Sequence, residues 1–230
     1  MPSSTSSLGA VVATTAATTT AVAPISSAPP GPARYVPHGA RTSPEVALTF
    51  HASGDPGLAM ELLDSLKQHR TAVTVFGVGQ WLAQNPELTA RIGADGHEYG
   101  NHTQTHQAMG TLSASAVAAE ITQCADVLRR LTGSISSWFR PSGIDVPTAR
   151  ILAEAGRAGY PVSVGYDVDS LDFQDPGVSA VVANVRRGAQ AGSIISLHLG
   201  HQGTIKALPA ILDHLGTMGL RPVTVGQLLA

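Results

Sequence analysis

From Pro44 onward, short apolar runs alternate with longer segments whose apolar residues recur at helical spacing. VALTF (Val46 to Phe50) reads as a buried strand, and Pro56 then opens a helix through GLAMELLDSLKQHR, with Leu58, Leu62, Leu63 and Leu66 along one face. TAVTVFGV is the next strand and NPELTARIGADG the next helix, with Pro86 near its start and Gly96 beyond its end. HEYGNHTQTH begins as a strand end and continues as a loop or a helical turn. The spacing of Val117, Ile121, Cys124, Val127, Leu128 and Leu131 predicts a helix from Ser113 to Leu131. SISSWFRP is a strand halted by Pro141, and a helix follows at Thr148 to Ala155. YPVSVGYDVD, SIISLHLG and RPVTV complete the strands, with helices near Val178 to Ala189 and Leu208 to Leu215. Strand and helix alternating about seven times predict an α/β protein with a parallel sheet and helices outside it. An open doubly wound sheet and a closed barrel both fit, and in either the ligand site lies at the carboxyl ends of the strands.

The first forty residues are of another kind. They are almost pure Ser, Thr, Ala, Val and Pro, too poor in bulky apolar groups to offset the entropy of ordering, and they predict a disordered tail over 1–40 ahead of one domain over 41–230. Ser/Thr/Pro-rich stalks are typical of exported proteins, so export is the expectation, with an intracellular tail as the plainer alternative. The stretch has no Lys/Arg-rich n-region of a signal peptide, and no apolar run reaches the roughly 18 residues of a spanning helix. Hydrophobic residues make up 43%, charged residues 13%, and the formal net charge is −2. Without a basic stripe, nucleic-acid binding has little electrostatic support. Cys124 is the one cysteine, which leaves no intramolecular disulfide and no Cys-based zinc site. Nine His in so weakly charged a chain direct attention to imidazole chemistry.

Polar residues follow the predicted strands directly: His51 and Asp55 after VALTF, His102 after EYG, Arg140 after WF, Asp167 to Asp172 after VSVGY, His198 after IISL. Each has an ordinary structural reading. A His pair four apart occurs on many surfaces, an Arg before Pro can be a surface ion pair, DVDSLDF can be a solvated loop with Asp caps, and a single buried His can be satisfied by backbone. All of these readings must hold together for the chain to be inert. HTQTH would place His102 and His106 on one face of a helical turn, which suits two ligands on one zinc ion. Thr103 stands where a zincin-type protease would carry Glu, so the third ligand lies elsewhere, and Asp55 is the natural carboxylate donor.

The order of TFHASGDP, HTQTH, FRPSG, DSLDF and SLHLG, spanning Thr49 to Gly200, resembles the polysaccharide deacetylase family (the NodB-homology, carbohydrate esterase type). The resemblance implies a distorted (β/α) barrel of about seven parallel strands and metal-dependent hydrolysis of an N- or O-acetyl group on a sugar or cell-wall glycan. It implies one divalent ion, zinc by default, held by Asp55, His102 and His106. It implies a base ahead of Asp55 oriented by Arg140, and His198 as general acid oriented by Asp172. A zinc-bound water has its pKa lowered to about 7, which supplies hydroxide at neutral pH.

The departures from the family pattern fall in the same motifs. His51 stands where the base carboxylate is expected, and ASG separates it from Asp55. His51 is therefore a base or water-orienter, or else a further ligand that frees Asp55; the first is the favoured expectation. Ser142-Gly143 replaces an expected Pro-Tyr, leaving backbone N–H groups there to bind substrate. Phe173 replaces Trp, and Ser196 takes the place of a pocket Leu. Aromatic content is 4%, with Trp81 and Trp138 the only indoles, so a long sugar-stacking groove is not expected. Two rivals remain: a non-catalytic saccharide-binding protein on the same scaffold, and a metal-independent amide hydrolase on a related barrel.

Overall fold

The computed structural model describes residues 31–230. Nine strands, all paired in parallel, form one curled sheet: β1 (Arg34–Val36), β2 (Glu45–Ala52), β3 (Thr74–Gly77), β4 (Glu98–Asn101), β5 (Trp138–Phe139), β6 (Val162–Val164), β7 (Val168–Asp169), β8 (Ile194–His198) and β9 (Arg221–Val223). The spatial order is β1-β6-β5-β4-β3-β2-β8-β7, with β9 against the first half of β2. Around it lie α1 (Pro56–Gln68), α2 (Gly79–Gln84), α3 (Pro86–Ala94), α4 (Ala114–Thr132), α5 (Ala149–Arg157), α6 (Val178–Gly188), α7 (Gln202–Thr217) and α8 (Val225–Leu228). The architecture is a half-barrel, the expected α/β class, with the two extra strands being short edge pieces.

β2 is the organising element, and its two faces explain its sequence. Val46, Leu48, Phe50 and Ala52 pack into one apolar cluster with Leu62, Leu63 and Leu66 of α1 and Leu208, Ile211 and Leu215 of α7. Each such fully buried Leu or Ile stabilises the layer by about 1.5–3 kcal/mol. The alternate residues Ala47, Thr49 and His51 face the inside of the half-barrel, where Ala47 meets Phe76, Val164 and Ile194. On β8 the same alternation turns Ile195 and Leu197 to the helices and His198 inward, and the parallel register sets His198 beside His51.

Three expectations are corrected. Part of the predicted 1–40 tail belongs to the domain: Arg34–Val36 pairs with β6, Ala33 and Val36 are buried, and the Gly39 amide donates to the Gly192 carbonyl at 2.8 Å; residues 1–30 lie outside the described residues. The segment YPVSVGYDVD is two strands, because β6 pairs on one side of the sheet order and β7 on the other. The chain crosses between them at Gly165, where a Cβ would collide with the Tyr35 hydroxyl. Finally, α7 begins at Gln202, six residues ahead of the predicted start, and carries Pro209 within it.

Candidate active site

At the carboxyl end of the strands a cavity of about 330 Å³ is lined by His51, His102, His106, Arg140, Asp169 and His198, with Tyr166 and Phe173 toward the mouth. Strand ends position most of these groups. His51 is buried on the inner face of β2. Arg140 directly follows β5, and its amide donates to the Asn101 carbonyl. His198 closes β8.

His102 and His106 are held differently. Of the loop or helical turn expected here, the segment is a loop: Thr103 and His106 have φ of 68° and 62°, in the left-handed region. Buried Glu120 of α4 clamps it. One carboxylate oxygen accepts from the Gln104 and Thr105 amides at 2.9 and 2.8 Å, the other from the Thr105 hydroxyl at 2.6 Å. Asn101 adds an acceptor for the Thr103 amide at 2.9 Å. Sequence reasoning missed Glu120, although an acid beside Val117, Ile121 and Cys124 on the apolar stripe of α4 is a signal in itself.

The hydrogen bonds fix the imidazole tautomers. Arg140 Nη1 lies 3.0 Å from His51 Nε2, and a guanidinium has only donors, so that nitrogen accepts. His51 Nδ1 therefore carries the proton and donates to His198 Nε2 at 2.9 Å. His198 Nδ1–H in turn donates to Asp172 Oδ1 at 2.7 Å. The result is a directed relay, Arg140 to His51 to His198 to Asp172. His102 donates from Nδ1 to the Arg140 carbonyl at 2.9 Å, which leaves its Nε2 lone pair free.

Arg140 is buried, and its other donors go to the Thr49 hydroxyl at 2.9 Å and the Val164 and Gly165 carbonyls at 3.0 and 2.8 Å. Its guanidinium carbon lies 4.1 Å from the Phe76 ring centre. No carboxylate touches it among the described residues. Burial pushes its pKa down to about 9, partly opposed by Tyr166, Tyr35 and Asp169, so it remains a cation at neutral pH. Burial first, then the neighbouring charges of His102, Arg140 and His198, holds His51 well below the ordinary imidazole value. His102 is lowered well below it too, by burial and then by His106, and His106 less so, by burial and His198 against Glu120. These rings are neutral at pH 7. Burial pushes Asp172 up, but the hydrogen bonds and charge of His198, with the Thr204 hydroxyl at 2.6 Å, outweigh it and hold the carboxyl below its usual value.

Two expected site residues are not brought in. Asp55 is the N-cap of α1, an exposed side chain accepting from the Leu58 amide at 3.0 Å, and it does not line the cavity. The residue directly after His51 is Ala52, which packs toward the helices. Ser142 is buried beneath the His loop, its hydroxyl donating to the Gln107 carbonyl at 2.5 Å, and it is also outside the cavity lining. Gly143 does line the cavity; with φ of 63° and a Cβ position only 2.8 Å from Ala108 Cα, no side chain fits there. Phe173 also lines the cavity; it is 45% exposed, its ring 5.2 Å from that of His198.

The expected three-ligand metal set is therefore not assembled. A metal lies in the plane of each imidazole that binds it. The His51 and His102 rings are stacked 4.3 Å apart at 7°, so their in-plane lone pairs run side by side and cannot meet on one ion. His102 and His106, at 65° and 5.0 Å, can share one, but with Asp55 at the helix cap they are two donors where a catalytic zinc site uses three. Among the described residues no group of three or more His, Cys, Asp or Glu is placed to hold a metal ion.

Comparison with known proteins relates the chain to others of known family. The family model for polysaccharide deacetylase matches residues 38–163. A peptidoglycan-N-acetylglucosamine deacetylase of Bacillus cereus is 32% identical over 188 residues, 80% of this chain and 87% of that protein. A family 4 carbohydrate esterase from Streptomyces lividans, solved with acetate, superposes with a TM-score of 0.72 at 30% identity, over 80% of this chain and 93% of that one. A pseudoenzyme of the same family from Bacillus anthracis shares the fold, with a TM-score of 0.79 at 24% identity, over 86% of this chain and 69% of that one. The chain belongs to the polysaccharide deacetylase family.

Proposed function

We propose that the protein is a hydrolase that removes an acetyl group from an acetylated sugar of a cell-wall or chitin-type glycan. The observation that carries this reading is the Asp172–His198 pair at the cavity. Asp172 is fixed by three donors, the His198 ring, the His198 amide and the Thr204 hydroxyl, so the imidazole is held in one tautomer and orientation. A binding surface has no use for such a device. The relatives are named for deacetylation of peptidoglycan N-acetylglucosamine and of chitooligosaccharides, which supports the substrate class. A cavity of about 330 Å³ with one exposed aromatic, Phe173, suits a single acetamido sugar more than a long chain. Such a substrate implies export, and no helix among the described residues is long and apolar enough to cross a membrane.

Deacetylases of this family are generally metal-dependent, and zinc on His102 and His106 is the metal reading that remains open to this chain. The donor set does not complete that site, so no step is assigned to a metal here. The second reading, an acetylated-glycan binder without turnover, is favoured by the replacement of the base carboxylate by His51. One experiment separates turnover with and without zinc from binding alone: acetate release from chitooligosaccharides and peptidoglycan fragments by chelator-treated and by zinc-supplemented protein, alongside binding of the same glycans. Release in either state supports the hydrolase. Binding without release in both supports the second reading.

A further inference from the structure

His51 was expected to be a base or water-orienter, or else a further metal ligand; in this geometry no lone pair is left over for a base or a ligand. Its Nε2 lone pair is committed to Arg140, and its Nδ1 carries a proton. We infer that His51 is a fixed hydrogen-bond donor into the cavity, locked in that tautomer by Arg140, and that His198 with Asp172 is the general base of a hydrolysis needing no metal ligand from the first motif. The inference rests on the hydrolase reading above and assigns the roles within it.

The lock follows from donor counting. A guanidinium cannot accept, so whichever group lies at 3.0 Å from Nη1 must present a lone pair. Turning His51 to its other tautomer would set N–H against N–H beside a buried cation. With Nε2 accepting, the Nδ1–H points at His198, and the His198 Nε2 lone pair faces it at 2.9 Å. In the free protein the two rings satisfy one another. Both residues line the cavity, so a substrate and water that enter between the rings would meet the donor of one and the lone pair of the other. That is the pairing acyl transfer needs, a donor for the developing oxyanion and a base for the attacking water. His51 is suited to the first task because Arg140 holds its Nε2, which leaves Nδ1–H as the donor it can present.

The step balances without any further reactant. His198 Nε2 takes a proton from water as the water oxygen bonds to the acetyl carbon, and the carbonyl π pair moves onto oxygen, where His51 Nδ1–H holds it. On collapse the C–N bond breaks, and the His198 imidazolium returns its proton to the leaving nitrogen. The products are acetic acid, which loses its proton to bulk water, and the free amine. Asp172 stabilises the transient imidazolium through the 2.7 Å bond to Nδ1. Arg140 is a positioning residue, acting only through His51.

The test pairs two readouts on the full chain. The first is 15N NMR of the histidine side chains, which reports the tautomer directly. His51 should be protonated at Nδ1 and bare at Nε2 near neutral pH, and Arg140→Met should release that lock. The second is acetate release from chitooligosaccharides by chelator-treated protein with His51 replaced by Asn, Asp or Ala. Asn and Asp are isosteric and reach to the Nδ1 position, but only Asn can donate there. His51→Asn should stay within about tenfold of wild type, while His51→Asp and His51→Ala should fall by about 10²–10³, the loss of an oxyanion donor. An Nε2-protonated or cationic His51 overturns the inference. So does turnover that vanishes on chelation and returns with zinc, or a His51→Asp variant at least as active as His51→Asn. If no protein releases acetate with or without zinc, the hydrolase reading fails and the base role of His198 goes with it, whereas an Nδ1-protonated His51 would still establish the lock.

Discussion

Asp172→Asn keeps the size of the side chain and removes its charge, which makes it the sharpest probe of the relay. Asp172 Oδ1 accepts from His198 Nδ1, and Oδ2 from the His198 amide and the Thr204 hydroxyl, at 2.7, 2.8 and 2.6 Å. All three partners are donors, and Asn supplies one oxygen and one NH2. With the oxygen at the Oδ2 place, the NH2 faces His198 Nδ1 and forces that ring to protonate Nε2, which then meets His51 Nδ1–H. With the amide reversed, the NH2 meets a backbone N–H. Either way a buried donor is left unpaired. That costs about 1–3 kcal/mol, and the lost charge-assisted bond adds about 1.5–3 kcal/mol. Relief from burying a charge offsets part of this, so the expected net loss is about 3 kcal/mol. For a domain of this size the melting temperature should fall by about 6–12 °C. Acetate release should fall by about 10²–10⁴.

The pH dependence gives an independent check. The folded carboxyl is held below its usual value, with burial opposed and outweighed by the His198 and Thr204 interactions. A depressed carboxyl contributes stability above the unfolded value of about 3.9 and loses it as pH falls through the folded one. The deficit of Asp172→Asn, measured by urea unfolding with Trp81 and Trp138 as fluorescent probes, should therefore be full at neutral pH and shrink below about pH 4. A variant within about 0.5 kcal/mol of wild type at neutral pH, the range of an ordinary surface change, would refute the reasoning. A deficit constant with pH would refute the electrostatic part alone.

Asp55→Ala should lower stability by about 1 kcal/mol, the worth of an N-cap, and leave acetate release and metal content unchanged; loss of bound metal in elemental analysis would return Asp55 to the site. A chain beginning at Arg41 loses the β1 pairing and the buried Ala33 and Val36, and calorimetry should show it less stable by about 2–4 kcal/mol. Arg140→Lys should cost about 2–4 kcal/mol, because one ammonium cannot serve four acceptors that the planar fork reaches at once; a variant with wild-type melting and activity would mean that the fork geometry is dispensable. Burial pushes the Cys124 thiol up to about 12, so a thiol reagent should label it only in denaturant.

The inner-face residues were legible in the sequence for a physical reason. A strand alternates its faces strictly, so a polar residue placed after an apolar run lands at the strand end, where His51, Arg140 and His198 do meet. Asp55 was misread because two signals coincide in one residue: an acid following the TF motif, and an Asp directly before a Pro at the first turn of a helix. The local capping bond to Leu58 won. The His102–His106 spacing carries no information on handedness, and the loop with its left-handed Thr103 is held by Asn101 and by Glu120, which lies 16 residues beyond Gln104 in the sequence. β1 is three residues long, too short for any period to show. The split of YPVSVGYDVD depends on which strands the two halves pair with, a fact no local pattern contains.

The substitution of an imidazole for a carboxylate also changes the electrostatics of the whole site. Beside a carboxylate, a buried arginine has a counterion at its fingertips. Here its four hydrogen-bond partners are neutral, and the carboxylate of the relay stands two imidazoles away, at Asp172. A cation at one end and an anion at the other give the relay a direction, with each hydrogen bond pointing from Arg140 toward Asp172 and polarising the next. A proton added to His51 is repelled by Arg140 at 3.0 Å. The same proton on His198 is attracted by Asp172 at 2.7 Å. The two rings have the same chemistry and touch one another, yet the charges at the two ends make one of them a donor and the other the place where a proton can rest.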